Sequence, residues 1–314
     1  MMKSPEIFNL FEKGRRRFHF VGDETAGVLV ALDLEGRIFT VLNGMVLNRV
    51  RSDAVLEQTG RDRYLNPGGD GLWPAPEGTD LGYQYSTGRW SVPAGISSAR
   101  YRVTEAGKER VKVSADIDLI NNRGLGMATV FSRDISLFPE KNGVSVVVVE
   151  SVAYSGTKTL DRSECLLVPW TLCQFDSGPG CEVVFPLVAS SAISDLYEPS
   201  DSKRCEDRNF WHTKTDGGLR YQIGLGSQVE WIEYRNPRKK IRVRRKALPV
   251  GPGLDYIDIA DRPPDTTPLS TGIRYSVYSD PDLFMEIEAA GGSPVQITPG
   301  AISSLTVTTT YTQE

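Results

Sequence analysis

From residue 27 onward the chain is written almost entirely as short runs of Val, Ile, Thr, Tyr and Phe, broken at close intervals by Gly, Pro, Asn and Asp. Such runs suit pleated, half-buried strands, and the breaks supply turns. The clearest run is 110–119. There Val111, Val113, Ala115, Ile117 and Leu119 alternate with Lys112, Ser114, Asp116 and Asp118. A period of two places all the apolar side chains on one face, the mark of an antiparallel strand with one wet side. Further strands are predicted at 27–34, 37–42, 45–51, 126–137, 144–153, 182–189, 219–225, 229–234, 240–248, 273–278, 283–289 and 303–311. So many strands without helices between them exclude a doubly wound α/β sheet and leave an all-β sandwich or barrel.

One helix is expected, over residues 4–13. Ser4 can cap it, Pro5 suits its first turn, and Ile7, Phe8, Leu10 and Phe11 share a face. No repeat of 20–50 residues and no long linker divides the remainder, so residues 1–314 read as a single antiparallel β domain, with 1–26 as helix and lead-in. A chain of 314 residues can bury about 75% of the surface its unfolded form exposes, enough for a core without staples. No stretch approaches the ~20 apolar residues that cross a bilayer. Glu6 and Glu12 stand where a secretory signal would be uncharged. The expectation is a cytoplasmic protein without a membrane partner, and a monomer.

Several chemistries lose their support at once. There is no G-x-S-x-G, no P-loop, no complete G-x-G-x-x-G and no H-E-x-x-H. Cys165, Cys173, Cys181 and Cys205 contain no C-x-x-C pair, and His19 and His212 are the only histidines, so reduced thiols are expected rather than a metal site. No cofactor is indicated. The run 235–246, RNPRKKIRVRRK, has eight basic residues in twelve. Alternation puts Lys240, Arg242, Arg244 and Lys246 opposite Ile241 and Val243, as expected of a solvated, charged edge strand that discourages aggregation. A nucleic-acid partner is not expected, because the rest of the chain is acidic and no nucleic-acid-binding signature accompanies the run.

Two segments carry more information. In 66–78, NPGGDGLWPAPEG, paired glycines and three prolines would hold Trp73 and Glu77 on a stiff loop, either as a binding wall or as a corner whose Trp plugs the core. In 284–289 the alternation brings Glu286 and Glu288 to one strand face, roughly 6.6 Å apart at ~3.3 Å per residue. On the surface they would only solubilise. Desolvated together they would form a site and need a cation such as Arg37, Arg89 or Lys214.

The order of Gly36-Arg37-Ile38-Phe39, Gly68 to Glu77, Val168-Pro169-Trp170-Thr171, and Phe284 to Glu288 followed by Thr298-Pro299-Gly300 resembles the galactose-mutarotase-like superfamily over about residues 27–314. Within it the chain looks closest to bacterial branches related to aldose 1-epimerases. The resemblance implies a β supersandwich binding a sugar in a concave cleft. It also implies a glutamate that takes the anomeric proton while a histidine protonates the ring oxygen.

Carried onto this chain, the resemblance assigns Glu288 or Glu286 as base. The paired histidines of epimerases have no clear counterpart, which leaves His212, or else Lys214, as acid. Arg37, Trp73, Glu77, Arg89, Trp90, Trp170 and Lys214 are the expected substrate-binding residues. The alternative is a carbohydrate-binding or sensing protein of the same fold that has lost the acid.

Overall fold

The computed structural model describes residues 1–57 and 63–313. Two sheets of ten strands each dominate it, and every pairing within them is antiparallel. The first sheet runs in the order Phe18–Gly22, Ala26–Ala31, Arg37–Leu42, Asp70–Ala75, Val168–Asp176, Phe284–Ala290, Tyr275–Asp280, Tyr221–Leu225 and Ile193–Asp195, with Met45–Val46 attached to Arg37–Leu42. The second runs Arg204–Glu206, Phe210–Lys214, Glu182–Pro186, Ile232–Asn236, Ile241–Ala247, Ile302–Gln313, Gly143–Tyr154, Gly126–Glu140, Arg110–Ile120 and Arg102–Ala106. The all-β sandwich expected from the strand pattern is the fold observed.

One continuous apolar core fills the space between the sheets. Into it each strand sends alternate residues, such as Met285, Ile287 and Ala289 from one side and Val111, Val113 and Ile117 from the other. The core also holds ion pairs. Arg133 is bidentate on Glu150 and donates to the carbonyls of Gly36 (2.8 Å) and Asp70 (2.7 Å). Arg245 grips the Asp70 carboxylate at 2.8 Å and also donates to Thr171 Oγ1. Both arginines stand on the second sheet and reach the first, so they pin the strands that carry Trp73 and Trp170.

The outer face of the first sheet is divided. At one end the N-terminal helix, Ser4–Lys13, lays Ile7 and Phe11 on Leu29, Ala31, Phe39 and Val41. The helix begins at Ser4 rather than being capped by it: the backbone N–H of Lys3 donates to Glu6 Oε2 at 2.7 Å, and the Ser4 hydroxyl is buried without a partner. Beyond the helix, the same face lies open to a cavity.

Three expectations about local structure need correction. Residues 66–78 do not form a loop throughout. Gly68 and Gly69 take positive φ, and Asp70–Ala75 then enters the sheet as an inner strand. Residues 45–51 supply only a two-residue strand, followed by the short helix Ser52–Leu56. The basic strand Ile241–Ala247 is no edge: it lies between Ile232–Asn236 and Ile302–Gln313. Its Arg242, Arg244 and Lys246 are exposed as expected, but Arg245 points into the core.

Candidate active site

Strand register assembles the site. In antiparallel pairs, directly opposed residues share a face. Gly71, Leu172, Glu288 and Ser276 form one such row across four strands, and Gln174, Glu286, Tyr278 and Gln222 form the next. Trp73 opposes Trp170 one step along. These rows floor a cavity of about 280 Å³, whose rim is completed by Tyr64, Trp90, Tyr197 and Arg220.

Glu286 and Glu288 are both buried on this floor. Glu286 Oε1 accepts from Gln174 Nε2 at 2.8 Å. Glu288 Oε2 accepts from Trp170 Nε1 (3.0 Å), from Gln222 Nε2 (3.0 Å) and from the Ser276 hydroxyl. Burial pushes both carboxyls above the ordinary carboxylate range. The charge of Glu286 pushes Glu288 further, whereas the nearby Arg37 guanidinium opposes the shift on Glu286. Burial and mutual repulsion thus disfavour two charges on the pair, and Arg37 makes Glu286 the easier of the two to ionise.

Arg37 is sealed beneath the floor and fully buried. It donates to Glu35 (Nε, 3.1 Å), the Gly68 carbonyl (2.9 Å) and Tyr64 Oη (3.0 Å), and its Cζ lies 5.4 Å from the centre of the Trp73 ring. Gly71 makes room for it, since a Cβ there would come within 3.1 Å of Arg37 Cζ. Trp73 is only 3% exposed; its Nε1 donates to Glu35 at 3.0 Å while its ring meets the cavity. Both readings of this residue, core plug and cavity wall, describe parts of what it does.

Glu77 is the third glutamate of the cavity. It is buried, accepts from Trp90 Nε1 at 2.7 Å and from Tyr197 Oη at 3.3 Å, and has no cation in ion-pair contact among the described residues. Burial, with the charge of Asp261 adding to it, raises it to about 8. Trp90 keeps 38% of its surface exposed at the rim.

Three of the expected site residues do not join this group. His212 stands on the second sheet, its ring between Glu182 Oε2 (3.0 Å) and Asp207 Oδ2 (3.1 Å). Lys214 is exposed on the same strand, opposite Glu182. Arg89 is exposed and lies outside the cavity wall. Phe210–Lys214, which the sequence pattern did not single out as a strand, pairs within the second sheet and so carries both His212 and Lys214 away from the cavity.

Residues that the sequence did not single out complete the walls: Tyr64, Asn66, Tyr197, Arg220, Gln222 and Tyr278. Gln222 alone had a signal, as an amide between Tyr221 and Ile223 on a strand that is otherwise apolar. Among the described residues, no group of three or more His, Cys, Asp or Glu could hold a metal ion. The thiols of Cys165, Cys173 and Cys181 are buried and unpaired, and Cys205 is exposed. No described helix is long and apolar enough to cross a membrane.

Residues 11–231 match the family described as a family of unknown function, DUF6786. The chain belongs to DUF6786. None of the curated proteins matches it. Solved structures share the fold of this DUF6786 member across nearly its whole length. A galactose mutarotase-like protein from Lactobacillus casei ATCC 334 superposes with a TM-score of 0.57 at 12% identity, covering 94% of this chain and 100% of that one. For a galactose mutarotase-like protein from Clostridium acetobutylicum the values are 0.55, 10%, 93% and 94%. A galactose mutarotase related enzyme from Lactobacillus acidophilus gives 0.52, 12%, 94% and 97%. At such identities the likeness establishes a galactose-mutarotase-like fold, and the function must be argued from the cavity itself.

Proposed function

We propose that this DUF6786 protein binds a single sugar ring in the cavity and interconverts its anomers by carboxyl acid–base chemistry. One observation carries the reading: Glu77, Glu286 and Glu288 open into the same cavity, walled by Trp73, Trp90 and Trp170. Aromatic faces pack against the apolar C–H faces of sugars, and buried carboxyls serve their hydroxyls. The volume, about 280 Å³, falls just below the ~300–1,000 Å³ usual for ligand pockets, which suits one ring better than a chain.

In this mechanism the Glu286–Glu288 dyad, holding one negative charge, takes the proton of the anomeric hydroxyl. Glu77, neutral at neutral pH, protonates the ring oxygen. The ring opens, the carbonyl carbon rotates, and reclosure with the protons returned gives the other anomer. Such a reaction needs a base and an acid of separated pKa around one substrate, and the different surroundings of the dyad and Glu77 supply that separation. Glu77 takes the part for which His212 and Lys214 were the sequence candidates, since both of those stand on the other sheet.

A second reading, a carbohydrate-binding protein without turnover, is favoured by the lack of an imidazole among the described lining residues. One experiment separates the two. Freshly dissolved α-anomers of hexoses, pentoses, uronates and sugar phosphates are followed by NMR with wild type and Glu288→Gln, and binding is followed by tryptophan fluorescence. Catalysis predicts a rate above the spontaneous one that falls ~10²- to 10⁴-fold in the variant. Binding with the spontaneous rate throughout selects the second reading. A protein whose fluorescence and calorimetry respond to none of these sugars is not a sugar protein.

A further inference from the structure

Two arginines line the cavity, and their surroundings differ. Arg51 is answered by its neighbour: Nε and Nη2 meet the Asp53 carboxylate at 2.8 and 3.1 Å. Arg220 has no carboxylate in ion-pair contact among the described residues. Instead its guanidinium lies 4.3 Å from the centre of the Tyr197 ring and 5.6 Å from that of Tyr278, with Nε donating to Tyr278 Oη at 3.0 Å. Tyr278 passes the bond on to Asp280 Oδ2 at 2.5 Å. The stacking and the Nε bond fix the plane of the guanidinium and leave both terminal nitrogens without a hydrogen-bond partner among the described residues, at the edge of the cavity. A planar fork held in this way matches the two oxygens of a carboxylate or phosphate.

We propose that Arg220 is the recognition residue for an anionic group on the sugar, so that the substrate class is sugar acids or sugar phosphates rather than neutral sugars. The assignment rests on the sugar-binding reading and narrows it. The rest of the cavity is compatible with a negative ligand. Burial disfavours the charged forms of Glu77, Glu286 and Glu288, Asp280 is engaged by Tyr278 and Arg51 by Asp53, which leaves the Arg220 fork as the unanswered cation at the rim among the described residues. The aromatic walls then receive the ring while the fork takes the charged substituent.

The test is equilibrium binding by calorimetry at low salt. Glucose and galactose are compared with glucuronate and galacturonate, which carry the anion as carboxylate, and with glucose 1-phosphate and glucose 6-phosphate, which carry it as phosphate. Wild type is expected to prefer at least one anionic class over its neutral parent by roughly 10- to 100-fold, the range of a charge-assisted fork. Which class is preferred identifies the group. Arg220→Gln is expected to abolish that preference while neutral-sugar binding persists, and added salt is expected to narrow it in wild type. Should Arg220→Gln not fold, Arg220→Lys keeps the charge but loses the planar fork and is expected to lower the preference several-fold. Equal affinity for neutral and anionic sugars overturns the assignment and leaves the sugar reading intact, as does an unchanged preference in the folded variant. Binding of no sugar at all overturns both.

Discussion

Trp170 and Trp73 face each other directly across adjacent strands, their rings edge to face with centres 6.2 Å apart, yet their indole N–H groups serve different carboxylates. Trp170 donates to Glu288 on the cavity floor, and Trp73 donates to Glu35 beneath it. One aromatic pair thus ties the Glu286–Glu288 pair to the buried Glu35–Arg37 ion pair.

Replacing the two tryptophans should therefore give different results. Trp73→Phe keeps a ring in the wall and removes one donor from Glu35, which still accepts from Arg37 and Tyr64. The expected cost is about 1 kcal/mol in urea unfolding, with sugar affinity nearly unchanged. Trp170→Phe instead takes away one of the three donors that hold the Glu288 carboxylate. Glu288 should then ionise less readily, moving the low-pH limb of activity upward while stability falls by a similar amount. A Trp73→Phe variant that loses affinity and keeps its stability would reverse these roles.

Glu77 gives the pH dependence on the alkaline side. Its carboxyl is raised to about 8 in the folded protein against about 4.3 in an unfolded chain. Between these values the native state holds a proton that the unfolded state has lost, so this group's stabilising contribution is complete at pH 4 and is lost as pH rises through 8. Each unit of the shift corresponds to about 1.4 kcal/mol. Relative to wild type, Glu77→Gln should accordingly gain thermal stability as pH climbs from 5 to 8, while anomer interconversion falls by about 10² or more at every pH. Activity of the wild type should itself decline above pH 8 as the acid ionises. Parallel melting curves for the two proteins across that range would count against a neutral Glu77.

How much of this was legible in the sequence depends on whether a strand has a wet side. Arg110–Ile120 and Gly126–Glu140 alternate because their outward residues face water. The strand Val168–Asp176 has the core on one face and the site on the other, so eight of its nine residues are buried and no period of two appears. Asp70–Ala75 was hidden by Gly68 and Gly69 just before it and by Pro74 within it, which read as a stiff loop although the strand runs through Pro74. Glu286 and Glu288 were visible because a charged pair on an apolar strand breaks the expected pattern. Arg220 could not be seen, since its meaning comes from Tyr197 and Tyr278, which only the fold brings to it. His212 was the reverse case: chemically suggestive in the sequence, but carried by a strand of the sheet that faces away from the cavity.

The buried link between the sheets should be intolerant of partial removal. Asp70 answers Arg245 at 2.8 Å and lies 3.9 Å from Arg133, all three nearly without exposure. Asp70→Asn preserves shape but leaves Arg245 a buried cation without its counter-charge, for which the expected loss is about 3–5 kcal/mol. Because Asp70 begins the strand that carries Trp73, tryptophan fluorescence should change together with the loss of stability. Replacing Asp70 and Arg245 jointly by apolar residues of similar volume should recover much of the cost, and a double variant no more stable than Asp70→Asn would show that the arginine was never the penalty.

His212 offers the sharpest separation between a structural histidine and a catalytic one. Its ring sits between Glu182 and Asp207, partly exposed; partial burial works to lower its pKa, but hydrogen bonds to Asp207 and Glu182 together outweigh it and raise the pKa. A raised folded pKa means that the stabilising contribution is fully present below about pH 6.5, the unfolded value, and is lost as pH rises through the folded one. Because the groups are accessible to solvent, the pair is worth no more than about 1 kcal/mol. His212→Ala should therefore melt a few degrees below wild type at pH 5.5 and coincide with it near pH 9, with the difference shrinking at high salt. Sugar affinity and anomer interconversion should be unchanged at every pH, since the second sheet carries this ring on the side of the molecule away from the Glu286–Glu288 dyad. A fall in turnover with unaltered melting at pH 9 would return the acid role to the imidazole and take it from Glu77.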